Sequence, residues 1–140
     1  MKKKTFFVIC ILTVTLMLHA QDGNWKIKIN NKTVLSTSKE DTANKIKIKR
    51  TEWQKSGYFE IIFTDNVQNT WSRSFLFYDS KDKELLRKDS TNDYKIPLKA
   101  LRKLFAGEKE IKIYTIIAPL NPKIAIRIRR VHLCTLKLTK

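Results

Sequence analysis

Apolar and polar residues alternate with a period of two along most of the chain, the spacing that sends successive side chains to opposite faces of a β-strand. Trp25-Lys26-Ile27-Lys28-Ile29 is the first such run, Asn30-Asn31 suits the left-handed positions of a two-residue turn, and Thr33-Val34-Leu35 returns as the partner strand. This hairpin is expected to set Ile27 against Val34. Ser36 to Asn44 is polar and reads as a loop, after which Lys45-Ile46-Lys47-Ile48-Lys49 repeats the alternation. Tyr58 to Thr64 is rich in aromatic and β-branched residues, with Phe59, Ile61 and Phe63 on one side and Tyr58, Glu60 and Ile62 on the other. Ser56-Gly57 and Asp65-Asn66 bound that strand with turn residues.

Trp71 to Tyr78 is a further strand, and across the polar loop Asp79 to Lys83 the run Glu84-Leu85-Leu86-Arg87 fits either its return strand or one helical turn. A different period follows. Pro97 can open a helix, Leu98, Leu101, Leu104 and Phe105 recur at helical spacing, and Gly107 can stop it, so a helix is predicted over Pro97 to Ala106. Lys109 to Ala118 and Lys123 to Leu138 are predicted as the closing strands, joined by Pro119-Leu120-Asn121-Pro122. In the last of them Ile124, Ile126 and Ile128 alternate with Ala125, Arg127 and Arg129, yet Val131 and Leu133 fall on the arginine phase. A β-bulge at Arg129-Arg130 is expected to reset the apolar face.

Seven or so short strands and one brief helix predict an all-β fold: an antiparallel two-sheet sandwich, immunoglobulin-like or jelly-roll-like, with one short helix near 97–106. An open barrel is the alternative. No repeat or low-complexity linker interrupts residues 21–140, which read as a single domain.

The first twenty residues are set apart from this pattern. Lys2, Lys3 and Lys4 precede an apolar run from Thr5 to Leu18, and Ala20 offers a small residue at the cut, so residues 1–20 read as a signal peptide of bacterial type. The run is short for a bilayer span, which disfavours a retained anchor, and Cys10 lies inside it, where a lipoprotein cysteine does not belong. The expected address is extracytoplasmic, periplasmic or secreted. Of the 29 Lys and Arg three lie in the leader, leaving 26 against 13 acids and a net charge of +13. Cys134 is the one cysteine left, so no internal disulfide is available and packing must supply the stability; its apolar strand favours burial over pairing with another chain.

Chemistry-bearing motifs are sparse. His132 is the one histidine after the leader, which rules out a two-histidine metal site within one chain. It lies two residues from Cys134, so both are expected on one side of a strand, as a core cysteine beside a hydrogen-bonded histidine rather than as a nucleophile pair. Asp79, Asp82 and Glu84 crowd one loop, but without the calcium-loop glycine and with Lys81 and Lys83 between them they read as a solvated turn. Phosphate-loop, Gly-x-Ser-x-Gly and Cys-x-x-Cys patterns are missing, no cofactor is implied, and Asn31-Lys32-Thr33 is a chance glycosylation triplet. Trp25 and Trp71 share the phase of buried residues, whereas Trp53, flanked by Glu52 and Gln54, is expected to be exposed.

The basic residues have a pattern of their own. Lys26, Lys28, Lys45, Lys47, Lys49, Lys112, Arg127 and Arg129 all fall on the outward phase of predicted strands, and if those strands are neighbours they form one cationic face. Such a face attracts anionic polysaccharide or lipid headgroups; nucleic acid fits the expected address less well. Lysines on outward phases also keep sandwiches soluble and discourage edge pairing. The leading expectation is a non-enzymatic binding or scaffolding domain. The alternatives are a small extracytoplasmic hydrolase, which predicts a cleft lined by acids or His132, and a subunit of a cell-envelope assembly, which predicts an exposed edge strand or apolar patch.

Overall fold

A computed structural model describes residues 23–53, 56–65 and 67–140; the predicted leader, Gln54 and Asn66 lie outside the described residues. Among the described residues nine strands and two short helices follow one another as β1 (Trp25–Ile29), β2 (Lys32–Thr37), β3 (Lys45–Lys49), α1 (Arg50–Trp53), β4 (Tyr58–Phe63), β5 (Trp71–Tyr78), β6 (Glu84–Lys88), β7 (Asp93–Pro97), α2 (Leu98–Leu104), β8 (Glu110–Pro119) and β9 (Val131–Thr139). They form a four-stranded sheet, β2-β1-β4-β7, and a five-stranded sheet, β3-β9-β8-β5-β6. The two pack as a sandwich, as the alternation predicts. All pairings are antiparallel except β3 on β9, which is parallel.

The core is built from the inward phases of both sheets. Trp25, Ile27, Phe59, Ile61 and Phe63 of the first sheet meet Ile48, Phe75, Phe77, Ile111, Ile113, Cys134 and Leu136 of the second. Phe63 stacks on Trp25 of its own sheet at 5.8 Å and reaches Phe75 across the layers at 5.9 Å, centroid to centroid, within the range where offset and tilted aromatic pairs attract. Helix α2 closes one end with Leu98 and Leu101 buried, opens directly after Pro97, and gives way to Gly107 at φ +86°, a conformation open to glycine. The ambiguous Glu84–Arg87 run is strand β6.

Five details depart from the sequence expectations. At the β1–β2 turn Asn30 and Asn31 both take positive φ, as predicted, but a bulge at Val34 sets Ile27 opposite Leu35 and leaves Val34 exposed. Trp53 is buried, not exposed, because the single turn of α1 tucks it against Phe105, ring centroids 4.9 Å apart; Trp71 is half-buried rather than fully buried. The last strand begins at Val131, and residues 123–130 precede it as an irregular, exposed connection. The register slip on β9 lies opposite Ile113 and Tyr114 instead of at Arg129-Arg130, with Ile113 paired to Cys134 and Tyr114 to His132. It is this slip that resets the apolar phase.

Candidate anion-binding surface

Strand β3 alternates buried Ile46 and Ile48 with exposed Lys45, Lys47 and Lys49. The isoleucines pin the strand to the core, so the lysines must stand outward, with neighbours on the same face about 7 Å apart, twice the rise per strand residue. Their register partners on β9 are Thr135, Lys137 and Thr139, and one row runs Lys45, Thr135, Lys112, Tyr78 across the five-stranded sheet. Neutralisation differs across this face. Lys112 pairs with Asp82 at 3.2 Å and Lys137 with Glu110 at 3.3 Å, whereas no carboxylate among the described residues pairs with Lys45, Lys47 or Lys49.

The remaining basic candidates fall elsewhere. Lys26 and Lys28 stand on the outward face of the four-stranded sheet, and Lys28, Glu60 and Lys95 form a row in which the acid separates the two cations. The outer faces of a sandwich point away from each other, so these two lysines cannot act together with those of β3. Arg127 and Arg129 lie in the irregular connection before β9, where Arg129 pairs with Glu40. The structure thus brings Lys45, Lys47, Lys49 and Lys112 onto one sheet and distributes the other four residues over two further places.

A cluster that the sequence did not single out occupies the centre of the same outer face. The Arg130 guanidinium lies 4.4 Å from the Tyr114 ring centroid and 4.8 Å from that of Tyr78, within cation–π range. Tyr114 in turn meets His132 edge-on at 5.4 Å. The phase break at Arg129-Arg130 was the one sequence signal that something there leaves the strand pattern.

His132 Nδ1 donates to the Asp41 carbonyl at 3.1 Å, since a carbonyl can only accept; in the neutral ring Nε2 then accepts from the Thr135 hydroxyl at 3.0 Å. Burial pushes the imidazole below its ordinary pKa, opposed by the Asp41 carbonyl and the Glu40 charge. Cys134 faces the other way, into the core, where burial drives its thiol far up and keeps it protonated. The expectation that His132 and Cys134 share a side fails because the register slip lies between them. The Asp79 carboxylate accepts from the Lys81 and Lys83 amides, each at 2.8 Å, so it builds a turn. Among the described residues no group of acids, cysteines and histidines could hold a metal ion.

A second basic region lies at the helical end. Two adjoining concavities of about 360 and 280 Å³ share Trp53 and Arg102, and their charged lining is Arg50, Lys99 and Arg102. At the opposite extreme of exposure, buried Arg73 sits 3.4 Å from the Phe63 ring centroid, and burial lowers its pKa to about 10 against the attraction of Asp65 and Asp93. It remains charged at neutral pH.

No family model, curated protein or solved structure matches the chain. The functional reading therefore rests on the side chains themselves.

Proposed function

We propose that this chain is an extracytoplasmic, non-enzymatic binding domain that holds anionic polysaccharide or lipid headgroups on the outer face of its five-stranded sheet. The observation that carries the proposal is the ladder Lys45, Lys47, Lys49: three exposed ammonium groups on one strand, regularly spaced and without acidic partners among the described residues. An extended anion laid along β3 meets all three, and the counterions it releases provide much of the binding free energy. Lys112 and Lys137, already paired with Asp82 and Glu110, contribute less. The concavities beside Trp53 are lined by Arg50, Lys99 and Arg102 rather than by acids, and both ring nitrogens of His132 are hydrogen bonded; both features favour anion binding over hydrolysis. The extracytoplasmic address rests on the lysine-led apolar leader.

The test is binding to a sulfated polysaccharide and to phosphatidylglycerol vesicles over a fourfold rise in salt. Three polymer contacts predict a loss of roughly 20- to 40-fold in affinity across that rise. The combined variant Lys45→Gln, Lys47→Gln, Lys49→Gln is expected to abolish most of that salt dependence. Unchanged binding by the triple variant would leave the ladder as no more than protection of an edge strand.

A further inference from the structure

Among the described residues, the connection between β8 and β9 carries most of the large apolar side chains that the fold leaves outside. Leu120, Ile124, Ile126 and Ile128 are 59%, 46%, 40% and 50% exposed, and every residue from Asn121 to Arg130 is exposed. The sequence Ile124-Ala125-Ile126-Arg127-Ile128 has the composition and alternation of a strand, yet from Ala125 to Ile128 no backbone N–H or C=O is hydrogen bonded within the described residues. Beside it, β8 runs on to Pro119 against β5, while its pairing with β9 stops at Thr115, so among the described residues Ile116 to Pro119 also lack a strand on that side.

The chain does not close this gap itself, for identifiable reasons. Pro119 and Pro122 cannot donate to a ladder. At the far end Arg129 is drawn to Glu40 and Arg130 to Tyr78 and Tyr114, which holds the segment away from the position a continued hairpin would need.

We infer that residues 124–130 form a docking strand, which takes an extended segment of a second protein in β-pairing, and that this partner segment alternates apolar and acidic residues. Open backbone groups on a β-branched, alternating run are a template for strand addition, in which main-chain hydrogen bonds give affinity and side chains give specificity. The charge selects the partner. Lys123 and Arg127 stand in this stretch with no ion pair among the described residues, while Arg129 is already paired with Glu40 and Arg130 lies over Tyr78 and Tyr114. A second copy of this chain, paired antiparallel, would set arginine near arginine, which is unfavourable across strands. A lipid bilayer would receive the isoleucines but could not hydrogen bond the open backbone, a cost that bars such segments from hydrocarbon. An acidic strand satisfies the isoleucines, the Lys123 and Arg127 charges and the backbone together. This inference is independent of the lysine ladder on β3.

The probe is an alternating glutamate–valine heptapeptide, with a lysine–valine heptapeptide as control, titrated into the purified protein and followed by amide chemical shifts and calorimetry. The glutamate peptide is expected to bind and to shift the amides of residues 124–130 first, and the lysine peptide to leave them unmoved. Ala125→Pro, which removes one N–H but no isoleucine or arginine, is expected to weaken binding roughly three- to tenfold. Arg127→Glu is expected to weaken it about tenfold or more, and the Lys45, Lys47, Lys49 triple variant to bind within about twofold of the parent, because β3 takes no part. The inference is overturned if the glutamate peptide shifts no amide in 124–130, or if Ala125→Pro binds it as the parent does. It is equally overturned if sedimentation of the protein alone shows a dimer that Ala125→Pro dissolves, or if phosphatidylglycerol vesicles perturb the same amides.

Discussion

Residues 123–130 and strand β9 are adjacent in the chain and alike in pattern, yet they end in opposite environments. Ile124, Ile126 and Ile128 are exposed, whereas Leu133, Cys134 and Leu136 are fully buried between β3 and β8. Alternation specifies that a segment has two faces; it does not supply the neighbour against which one face is buried. Strand β9 has neighbours on both edges, and its apolar phase continues into Ile111, Ile113 and Ile48 of the core. The preceding segment has the propensity without the partner, and the anchors at Glu40, Tyr78 and Tyr114 keep it so.

The largest expected effect separates these two regions directly. Leu136→Ala should lower unfolding free energy by about 2–5 kcal/mol through lost burial and an unfilled cavity. Ile126→Ala should change it by no more than about 0.5 kcal/mol, as at an ordinary surface site. Denaturant titration of both variants checks this, and comparable losses would mean that residues 123–130 are buried after all. Next is Glu40, which accepts from the His132 amide at 2.8 Å and pairs with Arg129, and so joins the exposed segment to β9. Glu40→Ala removes the acceptor of a half-buried N–H and should cost about 1–3 kcal/mol. Glu40→Gln, which keeps an acceptor oxygen, should cost clearly less.

The smallest effect expected is on pH dependence. His132 binds a proton less readily in the folded chain than in the unfolded one, mainly because burial disfavours the cation, so the unfolded state takes up the proton first as pH falls. The stability tied to the neutral ring is complete above the ordinary histidine pKa of about 6.5 and is lost as pH drops through the lower folded value. Thermal unfolding midpoints should therefore fall on acidification below neutrality, and less so in His132→Asn. A His132 imidazole titrating above about 6.5 by NMR would contradict the neutral tautomer assigned to it.

Much of the fold was legible because it depends on local information. The hairpin at Asn30-Asn31, the β3 alternation and the helix after Pro97 each announce themselves within a few residues, and all three are present. Partner choice was not legible. Lys26 and Lys45 have the same sequence surroundings, but β1 and β3 joined different sheets, and the single cationic face became three groups. Strand β7, Asp93–Pro97, was hidden by its polar composition and terminal proline. Trp53 sits among polar neighbours in the sequence, and only the turn of α1 and the arrival of Phe105 from far along the chain bury it. The separation of His132 from Cys134 likewise required the register slip against β8, which no spacing rule contains.

Amide hydrogen exchange on the free protein is the most direct test of the contrast between a strand-like sequence and an available strand. Amides of residues 125–128 are predicted to exchange near the rate of an unfolded peptide, while those of 132–138 exchange only when the sheet opens. Protection of 125–128 comparable to that of β9 in the free chain would show that the segment is already paired, and would remove the basis for a docking strand.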